Sequence, residues 1–173
     1  MDNKLEIRSN KLMEEYLSSI SYNFLEKSIL IPEDLRSIID SRFLVHNDCV
    51  LLKELCSVAP EGLNEIEKCE YEDSENHFHP DSFVDSADDD LQALKYALEC
   101  GKHLASRLGE EFGTKRRFRI QISFSEKIEV DGEISEYTSS TVRFYQIRSE
   151  CDKKMLVGDL ERFQLDAIVE IET

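Results

Sequence analysis

Residues 88–124, DDDLQALKYALECGKHLASRLGEEFGTKRRFRIQISF, change from one hydrophobic period to another across a single short link. Leu91, Leu94, Leu98, Gly101, Ala105, Leu108 and Phe112 recur at spacings of three and four, which places them on one stripe of a helix running from Asp88 to about Phe112. After Gly113, the residues Phe118, Ile120, Ile122 and Phe124 alternate with Arg117, Arg119, Gln121 and Ser123, the period of a strand with one buried face. A helix stripe and a strand face in direct succession make a core. Asp88, Asp89 and Asp90 stand where carboxylates cap free amides and oppose the positive end of a helix dipole.

Downstream of that unit the chain reads as strands. Ile128 and Val130 keep the parity of the first strand, and Asp131-Gly132 offers a turn. A strict two-residue turn would set Arg119 opposite Phe144. Shifting the register by one residue pairs Ile122 with Val142 and Ile120 with Phe144, keeping all four on one face. The expectation is therefore a bulge at Gly132 or a longer loop, with 141–148 as the second strand. Leu160, Phe163 and Leu165 fit a brief crossing, and 167–171 a final strand whose Glu170 implies a partly wet face.

Upstream, helices are expected over 4–20, from Pro32 to Asp40, and from a cap at Asn47 or Asp48 through Val50, Leu51, Leu52, Leu55 and Cys56. Pro60 and Gly62 would end the last of these. Cys49 and Cys56, seven apart, would then share one helix face. A short helix is compatible with Leu63 to Cys69, and Tyr71 to Ala87 reads as an irregular loop. The fold expected is α+β in a single domain, 1–173. It has a helical part (1–60), an acidic loop (61–87), and a long helix packed on a small, mainly antiparallel sheet of three to four strands (88–173).

The 173 residues carry a formal net charge of −16, and it is unevenly spread. Residues 61–90 hold twelve acids against the single base Lys68, so this segment supplies most of the charge. Such a chain is ill suited to nucleic acid, which demands clustered Lys and Arg, and well suited to steering a basic protein. No apolar run approaches the roughly 18 residues of a membrane span. The first sixteen residues carry charges where a secretion signal needs an apolar core, so a cytoplasmic location is expected, with the five cysteines reduced.

Candidate chemistry is sparse. His77, His79 and Asp81, with Cys69 eight residues upstream, are the most metal-like set, since two imidazoles and a carboxylate suit a divalent transition metal. They lack the tight ligand spacing of recognisable zinc sites. No calcium loop, phosphate-binding glycine loop or GxSxG elbow can be written, so no cofactor is implied. Cys100 and His103 lie three apart on the long helix, and His46 precedes the expected cap; neither brings an orienting group.

In the shifted register Arg117, Arg119 and Arg143 share the outer sheet face with Tyr145, a surface fit for carboxylates. The acidic segment, with Glu70, Glu72, Asp73, Glu75, Asp81 and Asp85, could meet a partner's bases or fold onto those arginines. The reading is a non-enzymatic interaction protein that binds or inhibits a basic partner, a profile shared with immunity proteins. The alternatives are a metal-dependent or hydrolytic enzyme built on His77, His79 and Asp81, or a structural subunit that pairs with a second copy through an exposed sheet edge or an apolar helix.

Overall fold

The two periodicities of residues 88–124 become two packed layers in the computed structural model, which describes residues 5–24, 29–85, 91–126, 129–130, 133–134, 138–149 and 159–173. In chain order the elements are β1 (Glu6–Ser9), α1 (Lys11–Ser19), α2 (Glu33–Ile39), β2 (Phe43–His46), β3 (Cys49–Leu52), α3 (Glu65–Glu75), β4 (His77–Phe78), α4 (Gln92–Phe112), β5 (Phe118–Ser125), β6 (Glu129–Val130), β7 (Glu133–Ile134), β8 (Ser139–Gln146) and β9 (Ala167–Glu172). Five strands form one antiparallel sheet in the order β1-β9-β5-β8-β4, and β2-β3 and β6-β7 are separate hairpins.

The inner sheet face is apolar. Phe118, Ile120, Ile122 and Phe124 of β5 line up with Val142 and Phe144 of β8 and Val169 and Ile171 of β9, all buried against Leu94, Ala97, Leu98, Leu104, Ala105 and Leu108 of α4. At Gly101 the helix comes so close to the sheet that an added methyl would collide with the Ile122 side chain. With glycine there, α4 settles on β5 without displacing the Ile122 side chain.

Ile122 pairs with Val142 and Ile120 with Phe144, the register that hydrophobic parity demands. The compensating slip is not at Gly132. Glu129 pairs with Ile134 and Val130 with Glu133, in the two-residue register, whereas Ser125 pairs with Ser139 in the core register. The one-residue offset therefore falls between these two ladders; Asp131 and Gly132 themselves lie outside the described residues.

The N-terminal half is less helical than expected. β1 pairs with β9, and its Arg8 faces Glu170. α1 starts only after it, and Asn10 caps that helix by accepting from the Met13 amide at 3.0 Å. The expected third helix is the β2-β3 hairpin. Asn47 and Asp48 both take positive φ, 48° and 63°, which a tight hairpin turn requires and which these residue types tolerate. Cys49 is thus a buried strand residue and shares no helix face with Cys56.

The acidic segment departs most from expectation. α3 continues to Glu75, β4 joins the sheet, and Pro80–Phe83 form a 3₁₀ turn, so 71–83 is not an irregular loop. A capping box starts α3: Asn64 accepts from the Glu67 amide while Glu67 accepts from the Asn64 amide. α4 begins at Gln92 with Leu91 as its cap residue; the expected cap acids, Asp88 to Asp90, lie outside the described residues. Cys69 is disulfide-bonded, contrary to the expectation of reduced thiols throughout, while Cys49, Cys56 and Cys100 are free.

Candidate functional site

α3 has an inner and an outer side, and they do different things. On the inner side Glu72 is fully buried. One of its oxygens accepts from the Val50 amide at 2.7 Å and the other from the Gln146 amide at 2.8 Å, while the Arg148 guanidinium closes on both. One turn later Asn76, also buried, accepts from the Leu52 amide and donates to the Val50 and Phe144 carbonyls. Beyond β4, Asp81 accepts from the Ser140 amide at 2.8 Å. Glu72, Asn76, β4 and Asp81 thus occupy the outer edge of β8 in succession, side chains standing in where strand backbone is absent.

The outer side of α3 faces solvent. Glu67 and Glu70 are exposed on it, as is Glu61 just before the helix; Glu75 is half-buried and Asp85, after the 3₁₀ turn, is exposed. Lys68 is held between Glu65 at 2.9 Å and Asp48 at 3.3 Å. Asp48 also pairs with Arg116 at 2.9 Å, and although burial opposes it, Lys68 and Arg116 keep its carboxyl below the usual range.

The outer sheet face is an ionic lattice. Arg119 is 3% exposed and donates to Glu172 at 2.5 and 3.0 Å and to the Tyr145 hydroxyl at 3.0 Å. Arg117 and Arg8 reach the same Glu172 at 2.8 and 3.3 Å, and Arg8 reaches Glu170 at 2.7 Å. Glu170 is buried, not wet, and burial holds its carboxyl above the usual range against the pull of Arg119, Gln121 and Arg8. Burial also pushes Tyr145 up to about 12, although Arg119 draws it down. Arg143 pairs with Asp73 at 3.2 Å. The acidic segment therefore reaches one of the three expected arginines; the other two are satisfied from β9.

Sequence reasoning missed Glu172, Arg148 and Asn76. Glu172 had a signal, since it shares strand parity with Glu170 and so presents two carboxylates to the Arg117/Arg119 pair. Arg148 and Asn76 lie just outside regular elements, where periodicity carries no information.

His77 and His79 do lie together, with ring centroids 5.5 Å apart, exposed on the edge of the sheet. Asp81 does not join them, because its carboxylate is engaged with Ser140. Among the described residues no group of three or more His, Cys, Asp and Glu side chains is placed to hold a metal ion. Cys100 points into the core, where burial raises its thiol to about 12, while His103 bonds Asp40 at 2.6 Å. The pair is adjacent on the helix and divided by it. His46 sits against the backbone of Ala59.

No described helix is long and apolar enough to cross a membrane. The family described as uncharacterized protein PM0498 matches residues 8–173. No curated protein and no solved structure matches.

Proposed function

This chain belongs to that PM0498 family, and we propose that it works by binding, presenting the outer side of α3 to a basic protein. One observation carries the reading: the most acidic part of the chain is a pre-formed helix, capped at Asn64 and fastened through Glu72 and Asn76, with Glu61, Glu67 and Glu70 left facing outward. A rigid charged face loses little conformational entropy on association, and its field steers an oppositely charged partner. Glu72 and Asp73 belong to the fastening rather than to the recognition surface. Glu70, Asp85 and the neighbouring exposed acids are the contacts proposed.

Inhibition of a basic toxin or nuclease is the finer form of this reading, supported by charge and size. Cytoplasmic residence is part of the proposal. The free thiols at Cys49, Cys56 and Cys100 favour it, and the disulfide at Cys69 weighs against it.

The test compares Glu61→Lys/Glu70→Lys with Glu33→Lys/Asp34→Lys, which makes the same charge change on exposed residues of α2. Partners captured at low salt are identified for the wild-type protein and both variants. The proposal expects a basic partner whose binding falls about ten-fold or more in the α3 variant and survives in the α2 variant. Equal loss in both would reduce the effect to net charge and overturn the assigned face.

A further inference from the structure

At the ends of β5 and β8 the surface folds into a polar cleft of about 370 Å³ whose chemistry opposes that of the rest of the molecule. Its walls include Lys115, Arg116, Arg117 and Arg148, with Thr114 and Ser149 beside them, and among the described residues no carboxylate lines it. The chain as a whole has 37 acids to 21 bases, so four bases and no acid among the described residues that line one opening depart from the overall balance.

Two of the four cations are held in place, by carboxylates outside the cleft and by Gln146 on its wall. Asp48 and Gln146 fix Arg116, at 2.9 and 2.6 Å, and Glu72 fixes Arg148. Lys115 is exposed and makes no ion pair or hydrogen bond among the described residues. Arg117, with its side chain 59% exposed, has only Glu172 as an acidic contact among the described residues, and Glu172 is divided among Arg8, Arg117 and Arg119. The Nε–H of Arg148 is buried without a hydrogen-bond partner, since Glu65 stands off at 3.6 Å. An unmet buried donor costs free energy until an acceptor reaches it.

We propose that this cleft binds a phosphate-type oxyanion. A planar carboxylate is matched by one guanidinium fork, as in the Glu72–Arg148 pair of this protein. A tetrahedral dianion draws on several donors at different angles, and two exposed cations, two fixed guanidinium groups and two hydroxyls supply them. The ligand is either the free ion or the phosphate of a small monoester. The site is separate from the α3 face and does not depend on the binding function proposed for it.

Isothermal titration at constant ionic strength with inorganic phosphate, and separately with glycerol 2-phosphate, tests the assignment. Saturable one-site binding of either is expected. It should weaken about ten-fold or more in Lys115→Ala/Arg117→Ala and be kept within about two-fold in Lys115→Arg and in Lys53→Ala, an exposed lysine outside the cleft. Saturation by the free ion alone identifies it as the ligand, and equal or tighter binding of the ester identifies a monoester. Failure of both to saturate by about 10 mM, or wild-type affinity in the double variant, overturns the site. Both replaced side chains are solvent-exposed, so an unchanged unfolding midpoint confirms that the variant compared is folded.

Discussion

Glu72 and Arg148 meet beneath α3 as a two-pronged pair, Oε2 to Nη1 at 2.7 Å and Oε1 to Nη2 at 3.0 Å, with side chains 0% and 3% exposed. Neither charge has water to fall back on. Removing one partner of such a pair leaves the other buried and uncompensated, which costs about 3–5 kcal/mol. Glu72→Met is expected to lose that much in urea denaturation. Adding Arg148→Met recovers part of the loss, because no lone charge remains, but not all, because the Val50 and Gln146 amides stay unmet. A loss below about 1 kcal/mol in the single variant would contradict this account.

Asn10 joins the first helix to the last strand. Its Oδ1 accepts from the Met13 and Ile168 amides, and its Nδ2 donates to the carbonyls of Asp166 and Phe163. Asn10→Ala should cost about 2–4 kcal/mol, the sum of a lost cap and buried groups left unpaired. Asn10→Ser, which keeps an acceptor at the cap, should recover about 1 kcal/mol. Equal melting of the two variants would mean that the cap contributes nothing.

Gly101 and Ile122 should couple. Gly101→Ala gains helix propensity, about 1 kcal/mol, but pushes a methyl into the Ile122 side chain, an overpacking cost of about 1–3 kcal/mol. Ile122→Val removes the atom that the added methyl would strike and alone costs about 0.5–1.5 kcal/mol. A double-mutant cycle is expected to show the pair about 1 kcal/mol more stable than the sum of the singles predicts. Strict additivity would refute the close approach.

Acidification from pH 7 towards 5 should stabilise the fold. The carboxyls of Glu170 and Asp73 lie above their ordinary range, chiefly through burial and in spite of Arg119 and Arg143 respectively. A group whose folded value is raised binds its proton more tightly when folded. Its contribution is therefore complete below the unfolded value, about 4, and is lost as pH rises through the folded one. Asp48, held low, acts in the opposite sense, but only below about pH 4. Denaturation at constant ionic strength checks the slope, and Glu170→Gln should flatten it. A midpoint that falls steadily from pH 7 to 5 would show that other groups dominate.

The parts of this fold legible in the sequence are those where one period runs long enough to exclude the alternatives. The α4 stripe and the β5 alternation qualify, and parity alone selected the pairing of Ile122 with Val142. Residues 49–52 were misread because a four-residue apolar run fits a buried helix turn and a buried strand equally well. The Asn47-Asp48 turn was the deciding clue, since both residues accept the positive φ that ends a helix argument. β1 was lost for brevity. The acidic segment was misjudged because composition reports average solvation, whereas Glu72 and Asn76 are fixed by individual backbone amides that no composition records. The basic cleft was half visible as Lys115-Arg116-Arg117, and only the fold could bring Arg148 to it.

The edge of β8 has a further consequence, at the level of many molecules. An uncovered strand edge is a template on which identical chains stack, and crowded cells punish proteins that leave one open. Here the amides of Ser140 and Gln146 are stoppered by the carboxylates of Asp81 and Glu72 on either side of a strand only two residues long. A neighbouring chain arriving at that flank finds those amides already bonded. Glu72 and Asn76, which fasten the acidic helix, also close part of that edge, so mutations that loosen α3 are expected to raise the tendency to aggregate as well as to cost stability.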